Sequence, residues 1–422
     1  MKMLAILALA ILAGLKSLAA DESQPNILII FVDDLGYETI GAYGALDFET
    51  PEIDRMAAEG ILMDRAYTSP VCTPSRVSLH TGLYTSDHGQ TNVLEVHKGT
   101  GDQVDFDRFS TFAQLFRDHG YATSVTGKWQ LATLTEHPEH IRSAGFDSWY
   151  VWQIWDGKTK TSRYYQPYYN HDGIVVTGVE HQFGPDLMRD YVEESMALCS
   201  QVEKPFLIVH NMVLPHVPIV PTPSDLASGN EASLATMVSY LDQEVGQLLD
   251  TIEALGIREN TYVFFIGDNG TQAESVRRTV DGSVVDGKWS LTEGGTHVPF
   301  IVWGPSSIPE GETLDVLVDI VDVFPTLADL AGIPIPEEFH LGGFSIANQI
   351  RGGSGQEASR QWVHQGIGSN ESVFDGEWRL NSDGQLFDCR NLPVMVPVVT
   401  KTPESEEARA RLNEIFGQIG HD

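Results

Sequence analysis

Five short runs along the chain are near-continuous in apolar or small residues: NILIIFV (Asn26 to Val32), YATSVT (Tyr121 to Thr126), FLIVH (Phe206 to His210), TYVFFI (Thr261 to Ile266) and PFIVW (Pro299 to Trp303). Runs of this kind read as strands buried on both faces, as in a parallel sheet covered by helices. Segments with helical character lie between them, at Pro51 to Glu59, Thr111 to His119, Asp186 to Val202 and Ser233 to Leu255. In the last, Leu234, Met237, Leu241, Val245, Leu248, Leu249 and Ile252 recur at helical spacing. The alternation predicts an α/β sandwich with a large, mostly parallel central sheet flanked by helices. From about Pro334 the pattern changes. GGFSIANQIRGGSGQEASRQ is rich in Gly and Ser and reads as a connector. SVFDGEWRLNSDGQLFD then alternates like an antiparallel hairpin, and a helix is expected from about Glu404 to Phe416. A small antiparallel C-terminal subdomain is therefore expected over 336–422.

The residues just past each strand carry chemistry. The first strand runs into DDLGY, with Asp33 and Asp34; the second into GKWQ, with Lys128 and Gln130. The third leads a few residues on to LPHVP, with His216, and the fourth to GDNG, with Asp268 and Asn269. Ligands of open α/β sheets bind beyond the carboxyl ends of the strands. If these strands are parallel neighbours, three carboxylates, an amide, a lysine and a histidine meet on one edge. Taken singly, DD reads equally as a cap or turn and DNG as a turn. Together, each ending a buried strand, they point to a hard cation bound by oxygen, calcium or magnesium.

Bulk properties narrow the context. The chain has 422 residues, 42% of them hydrophobic, enough for a large core. Met1 to Ala20 combines a basic start, an apolar run from Met3 to Leu15 and small residues before a polar stretch. This reads as a signal peptide, cleaved to leave no stable membrane span, and implies export to the periplasm or medium. In an oxidising compartment Cys199 and Cys389 could pair, a question the sequence leaves open. The net charge of −33, from 26 basic and 59 acidic residues, excludes a nucleic-acid partner. It also demands local positive charge if the substrate is an anion.

Cys72 lies between Pro70 and Pro74 and ahead of Ser75 and Arg76. Pro74 suits the first turn of a helix, whose N-terminal N–H groups favour an anion. By itself such a cysteine is more commonly a buried structural thiol. The pattern C-x-P-S-R-x4-T-G, here Cys72, Pro74, Ser75, Arg76, Thr81 and Gly82, resembles the signature of the formylglycine-dependent (type I) sulfatases. PNILIIFVDDLGY, TGKWQLA, LPHVPIVP, GDNGT and DGKWSLTEGGTHVPFIVWGP are similar to further motifs of that family, in order along the chain.

The resemblance implies an alkaline-phosphatase-like fold, a catalytic domain over 21–335 and hydrolysis of sulfate esters. It implies that a maturation enzyme oxidises Cys72 to formylglycine. A calcium ion would be held by Asp33, Asp34, Asp268, Asn269 and the modified Cys72. Arg76 would steady the hydrated aldehyde, Lys128 and Lys288 would grip sulfate oxygens, and His216 would protonate the departing alcohol. Lys128, His216, Lys288 and Gln130 would contact the substrate. The chain departs from the family where Gln130 replaces a histidine of the Gly-Lys-Trp-His motif. Glutamine can orient a hydroxyl but cannot act as a base near neutral pH. His297 stands where arginine is frequent and is read as scaffold.

Eight Trp and Tyr residues fall between Phe146 and Gly173. They serve either to stack on sugar rings or as the core of an irregular insert. The expected substrate is a small-molecule or oligosaccharide sulfate ester, probed against two rivals. One is a phosphate or phosphonate ester hydrolase on the same scaffold; the other is a weakly active sulfoglycan-binding relative.

Overall fold

The first apolar run explains the architecture, because a strand with no polar face must be covered twice. The computed structural model describes residues 24–94, 103–177, 182–272, 287–353 and 360–419. In it, β1 (Asn26–Asp33) is buried at every position. Ile27, Ile29 and Phe31 join one hydrophobic core, whereas Leu28, Ile30 and Val32 join another on the opposite side of the sheet. Burying each such side chain contributes about 2 kcal/mol. Six buried residues in one strand thus tie both layers to it.

Chain order then gives β2 (Ile61–Tyr67), β3 (Ala122–Gly127), β4 (Ser148–Trp152), β5 (Trp155–Asp156), β6 (Thr159–Lys160), β7 (Tyr169–His171), β8 (Ile174–Val176) and β9 (Phe206–Pro215). After these come β10 (Thr261–Gly267), β11 (His297–Val298), β12 (Phe300–Trp303) and β13 (Glu312–Asp319). The large sheet runs β11-β2-β12-β10-β1-β9-β3-β4-β7-β8, with β13 beside β2. Its centre, β10-β1-β9-β3-β4, is parallel throughout. One expectation needs correction: Phe300–Trp303 pairs antiparallel to β10 and does not extend the parallel set. An apolar run reports burial on both faces and carries no direction.

Helices Gly184–Gln201 and Leu234–Ala254 cover one face through Met188, Val192, Met196, Met237, Leu241 and Val245. Helix Leu234–Ala254 starts with a capping box in which the Ser233 side chain accepts from the Thr236 amide. Helices Phe112–Asp118 and Val323–Leu330 pack on the other face. A separate five-stranded antiparallel sheet, β14 (Val363–Ile367) to β18 (Val394–Pro397), comes next, with helix Pro403–Gln418 packed on it. Cys199 and Cys389 are both free thiols, one on the buried face of helix Gly184–Gln201 and the other inside the small sheet, so they do not pair. Residues 1–20, read as a signal peptide, lie outside the described residues, as do 354–359 of the connector. Among the described residues no helix is long and apolar enough to cross a membrane.

Candidate active site

The parallel centre brings the polar strand ends to one edge. Successive side chains of a strand point to opposite faces. Asp33 and Asp34 nonetheless serve one site, because Asp34 takes a left-handed backbone (φ 63°) that turns the chain at the end of β1. Asp tolerates this conformation better than most residues. The Asp34 amide donates to Asp268 Oδ1 at 3.0 Å, and the Asp268 amide donates to the Val32 carbonyl at 2.8 Å. Gly267 permits that closeness, since a Cβ there would lie 2.2 Å from the Leu35 carbonyl oxygen.

On the other side, β3 ends at Gly127, where a Cβ would lie 1.8 Å from the Asn211 carbonyl oxygen. The chain then turns through Lys128 to Gln130, itself left-handed (φ 51°). Helix Cys72–Thr81 points its first turn into the same edge. Cys72 is buried, and its Sγ–H donates to Gln130 Oε1 at 3.2 Å.

Electrostatics organise the rest. Arg76, one turn after Cys72 and 1% exposed, donates to Asp268 Oδ2 at 2.7 Å, Asn211 Oδ1 at 2.9 Å and the Lys128 carbonyl at 3.0 Å. Lys128 Nζ lies 2.6 Å from Asp33 Oδ1, and Lys288 Nζ lies 2.5 Å from Asp34 Oδ1. Burial alone would raise the pKa of Asp33, but Lys128, His216, Arg76 and Lys288 outweigh it and hold the carboxyl well below the usual range. Asp268 is pushed up by burial and by the like charge of Asp33. Burial opposes the charge on Lys288, but Cys72, Asp34, Asp33 and Asp268 more than compensate, and its pKa rises.

Among the described residues, three buried oxygens of this cluster have no hydrogen-bond partner: Asp33 Oδ2, Asp34 Oδ2 and Asn269 Oδ1. Asn269 spends its Nδ2 on Asp34 Oδ1 at 2.9 Å, which leaves its oxygen as the free atom. Ligand atoms of Asp33, Cys72 and Asp268 lie within 4.8 Å of one another, as do those of Asp33, Asp34 and His216. Orphaned buried acceptors are costly, and an all-oxygen set around three carboxylates fits a hard divalent cation. The residues named from the sequence as ligands thus fall in two overlapping groups that share Asp33, with Asn269 bonded to Asp34.

His216 lies just past β9 and is held by residues the sequence did not single out. Arg163 Nη2 lies 2.9 Å from His216 Nδ1 and also donates to the Val217 carbonyl. The Val217 carbonyl, 2.7 Å from Nδ1, suits a proton there, whereas a guanidinium has no lone pair to offer and so favours the tautomer with the proton on Nε2. That nitrogen faces Asp34 Oδ2 at 3.6 Å. Burial lowers the His216 pKa to about 3, and Arg163 and Lys128 add to this against the pull of Asp33 and Asp34. Asn211 was also missed; its only signal was an amide, beside His210, within a strand of otherwise apolar residues. His297, read as scaffold, is buried between Tyr37 and Tyr67 (ring centroids 4.0 and 5.1 Å) and bonded to Glu293 at 2.7 Å.

These groups open into a cavity of about 400 Å³ that also includes Trp152, Trp155, Lys160, Arg163 and Trp289. The aromatic segment thus divides. Trp149, Tyr164 and Tyr169 are core, Trp152 is equally buried but borders the cavity, and Trp155 walls it. The arrangement offers a cation cradle, a buried sulfur at a helix start, two lysines for an oxyanion and a ring N–H for a departing group.

Known proteins share both the chain pattern and the fold. The Sulfatase family model matches residues 25–333. N-acetylgalactosamine-6-sulfatase of Rattus norvegicus is 30% identical over 366 residues, covering 81% of this chain and 68% of the relative. N-acetylgalactosamine-6-O-sulfatase of Bacteroides thetaiotaomicron is 26% identical over 428 residues, covering 85% and 82%. The crystal structure of Ps i-CgsB superimposes with a TM-score of 0.80 at 23% identity, covering 94% of this chain and 93% of that one, and shares the fold.

Proposed function

The chain belongs to the sulfatase family and is a sulfuric ester hydrolase, and from that premise we propose that it cleaves a sulfated carbohydrate with Cys72 as the reacting position. The observation that carries this is the placement of Cys72 beside Asp33 and Asp268, next to buried carboxylate oxygens that have no hydrogen-bond partner among the described residues. Asp33, Asp34, Asp268 and Asn269 would hold calcium, with magnesium the alternative. The ion, when bound, draws electron density from a coordinated oxygen and lowers the pKa of a hydroxyl group. A maturation enzyme would convert Cys72 to formylglycine, whose hydrate supplies that hydroxyl.

The chain's own residues then have definable work. Arg76, pinned by Asn211 and the Lys128 carbonyl, fixes the first turn of its helix and so the position of residue 72. Lys128 and Lys288 are engaged by Asp33 and Asp34 in this structure. With those carboxylates holding a cation, both ammonium groups would be free to grip the sulfate oxygens. Gln130 orients residue 72 through its amide oxygen and takes no proton. His216 presents Nε2–H to the departing oxygen, and Arg163 stabilises the ring as that proton shifts toward the alcohol. Trp155, part-exposed in the cavity wall, offers a face for a sugar ring. The relatives named for N-acetylgalactosamine 6-sulfate support a sugar ester as substrate. The basic start and apolar run of Met1 to Ala20 support export to the periplasm or medium. The catalytic unit is assigned to 21–335 and the small sheet to an accessory unit over 336–422.

The test is co-expression with a formylglycine-generating enzyme, mass spectrometry of the peptide containing Cys72, and paired assays on aryl sulfate and aryl phosphate. The expected result is an aldehyde at position 72 and faster sulfate than phosphate release. An untouched thiol, or preference for phosphate, overturns the proposal.

A further inference from the structure

Among the described residues, one cation in the cavity has no anionic partner and no part in gripping the reacting sulfate. Lys160 ends β6, in the small β5–β6 hairpin, and lines the cavity together with Trp152, Trp155 and Arg163. Its Nζ lies 5.7 Å from the centroid of the Trp152 ring. Arg163, by contrast, is occupied by His216, the Val217 carbonyl and Asp33. Lys160 is exposed at the cavity mouth, and its partial burial, then Arg163 and Lys128, lower its pKa against the pull of Asp33 and Cys72. In a chain with 59 acidic residues to 26 basic ones, carboxylate partners are plentiful. A lysine left without one, at the mouth of a cavity already rich in cations, is arranged for an anion that arrives with the ligand.

The sulfate being hydrolysed does not fill that need. It carries one negative charge and is met by Lys128 and Lys288 at the cation cradle. We infer that Lys160 binds a second anionic group on the alcohol part of the substrate, so that the favoured substrates are sugars bearing two anions. The second anion is a further sulfate or a uronate carboxylate; both present oxygens to an ammonium group in the same way. The cavity of about 400 Å³ is within the usual range for such ligands, and Trp152 and Trp155 supply the apolar wall between the two charged ends. This inference rests on the sulfatase reading for the nature of the ligand.

The test uses the protein with Cys72 unoxidised, in calcium buffer, so that binding is read without turnover. Calorimetric titration compares N-acetylgalactosamine 6-sulfate, its 4,6-disulfate, and a disaccharide that joins glucuronate to the 6-sulfated sugar. At least one dianionic ligand is expected to bind about tenfold more tightly than the monosulfate, about 1.4 kcal/mol. That preference falls to within about twofold in Lys160→Ala and is kept in Lys160→Arg, as expected of a single charge contact. Which dianion is preferred identifies sulfate or carboxylate as the second group. Equal affinity for all three ligands, or a preference that survives Lys160→Ala, overturns the inference. If the preference is present but the matured enzyme releases sulfate from none of them, the anion subsite stands and the sulfatase reading fails.

Discussion

Replacing Arg163 with methionine separates two roles that one guanidinium could play. Its Nη1 lies 3.5 Å from Asp33 Oδ2, so it could act as general positive charge near the sulfate. Its Nη2 lies 2.9 Å from His216 Nδ1 and favours the ring proton on Nε2. The competing tautomer has an acceptor ready, because the Val217 carbonyl lies 2.7 Å from the same Nδ1. Without Arg163 the proton moves to Nδ1, and Nε2 presents a lone pair to a departing oxygen that needs a donor. A charge-assisted hydrogen bond of this kind contributes about 1.5–3 kcal/mol, which corresponds to roughly 10- to 150-fold in rate. The loss should appear where the alcohol leaves poorly, as from a sugar 6-sulfate. It should be less than about threefold for 4-nitrophenyl sulfate, whose leaving group needs little protonation. In a His216→Ala background, Arg163→Met should add almost nothing, since the two residues act as one unit. Steady-state kinetics on both esters with all three variants decide the matter. Equal losses on both esters, or additive losses in the double variant, would mean that Arg163 works through charge alone.

Ion binding should be visible as stability. At free calcium about 100-fold above Kd the gain is about 2.7 kcal/mol, roughly 3–4 °C in Tm for a unit of 300–400 residues; a chelator should remove it, and Asn269→Ala should show no calcium response in thermal scans. Gln130→His restores a proton acceptor beside position 72 and should raise single-turnover sulfate release by about tenfold or more with the attack step unchanged; unchanged release would show that the amide is not limiting. Burial among Phe106, Phe112, Trp129 and Phe146 lowers the His80 pKa to about 3. The unfolded chain binds that proton near pH 6.5 and the folded one does not, so stability present above this pH is lost as pH falls. The loss is about 2 kcal/mol between pH 7 and 5, and His80→Phe should abolish this share in urea titrations at the two pH values.

Strand ends were legible because burial on both faces leaves a sequence mark that ordinary strands lack. Asp33, Lys128 and Asp268 stand out as the first charged residues past such runs, before any motif is matched, with His216 a few residues beyond the end of its own. Direction was not legible, as Phe300–Trp303 shows, because an apolar run is the same read either way. Arg163 was hidden by distance: it lies 53 residues before His216, in an insert whose aromatic residues serve both core and cavity. Asn211 was hidden by brevity, one amide within ten buried strand residues. Its importance appears only with Arg76 beside it. Gln130 was legible as a departure, but its left-handed backbone and its bond to Cys72 come from the turn that Gly127 permits.

The opposition between an acidic chain and an anionic substrate leads to a last expectation. The whole protein carries −33, yet Arg76, Lys128, Lys160, Arg163 and Lys288 surround three carboxylates at the site. Far from the surface an approaching sulfate ester meets the net charge; within the cavity it meets the local one. Salt screens these unequally, because the Debye length falls from about 30 Å at 0.01 M to about 10 Å at 0.1 M. Over that range the long-range repulsion fades while buried contacts are little changed. The kcat/KM for an anionic ester should therefore rise with salt to about 0.1 M, then fall as contacts at the rim are screened in turn. A monotonic fall from the lowest salt would mean that the cavity's cations already govern the approach at long range, as in proteins whose field focuses toward the active site.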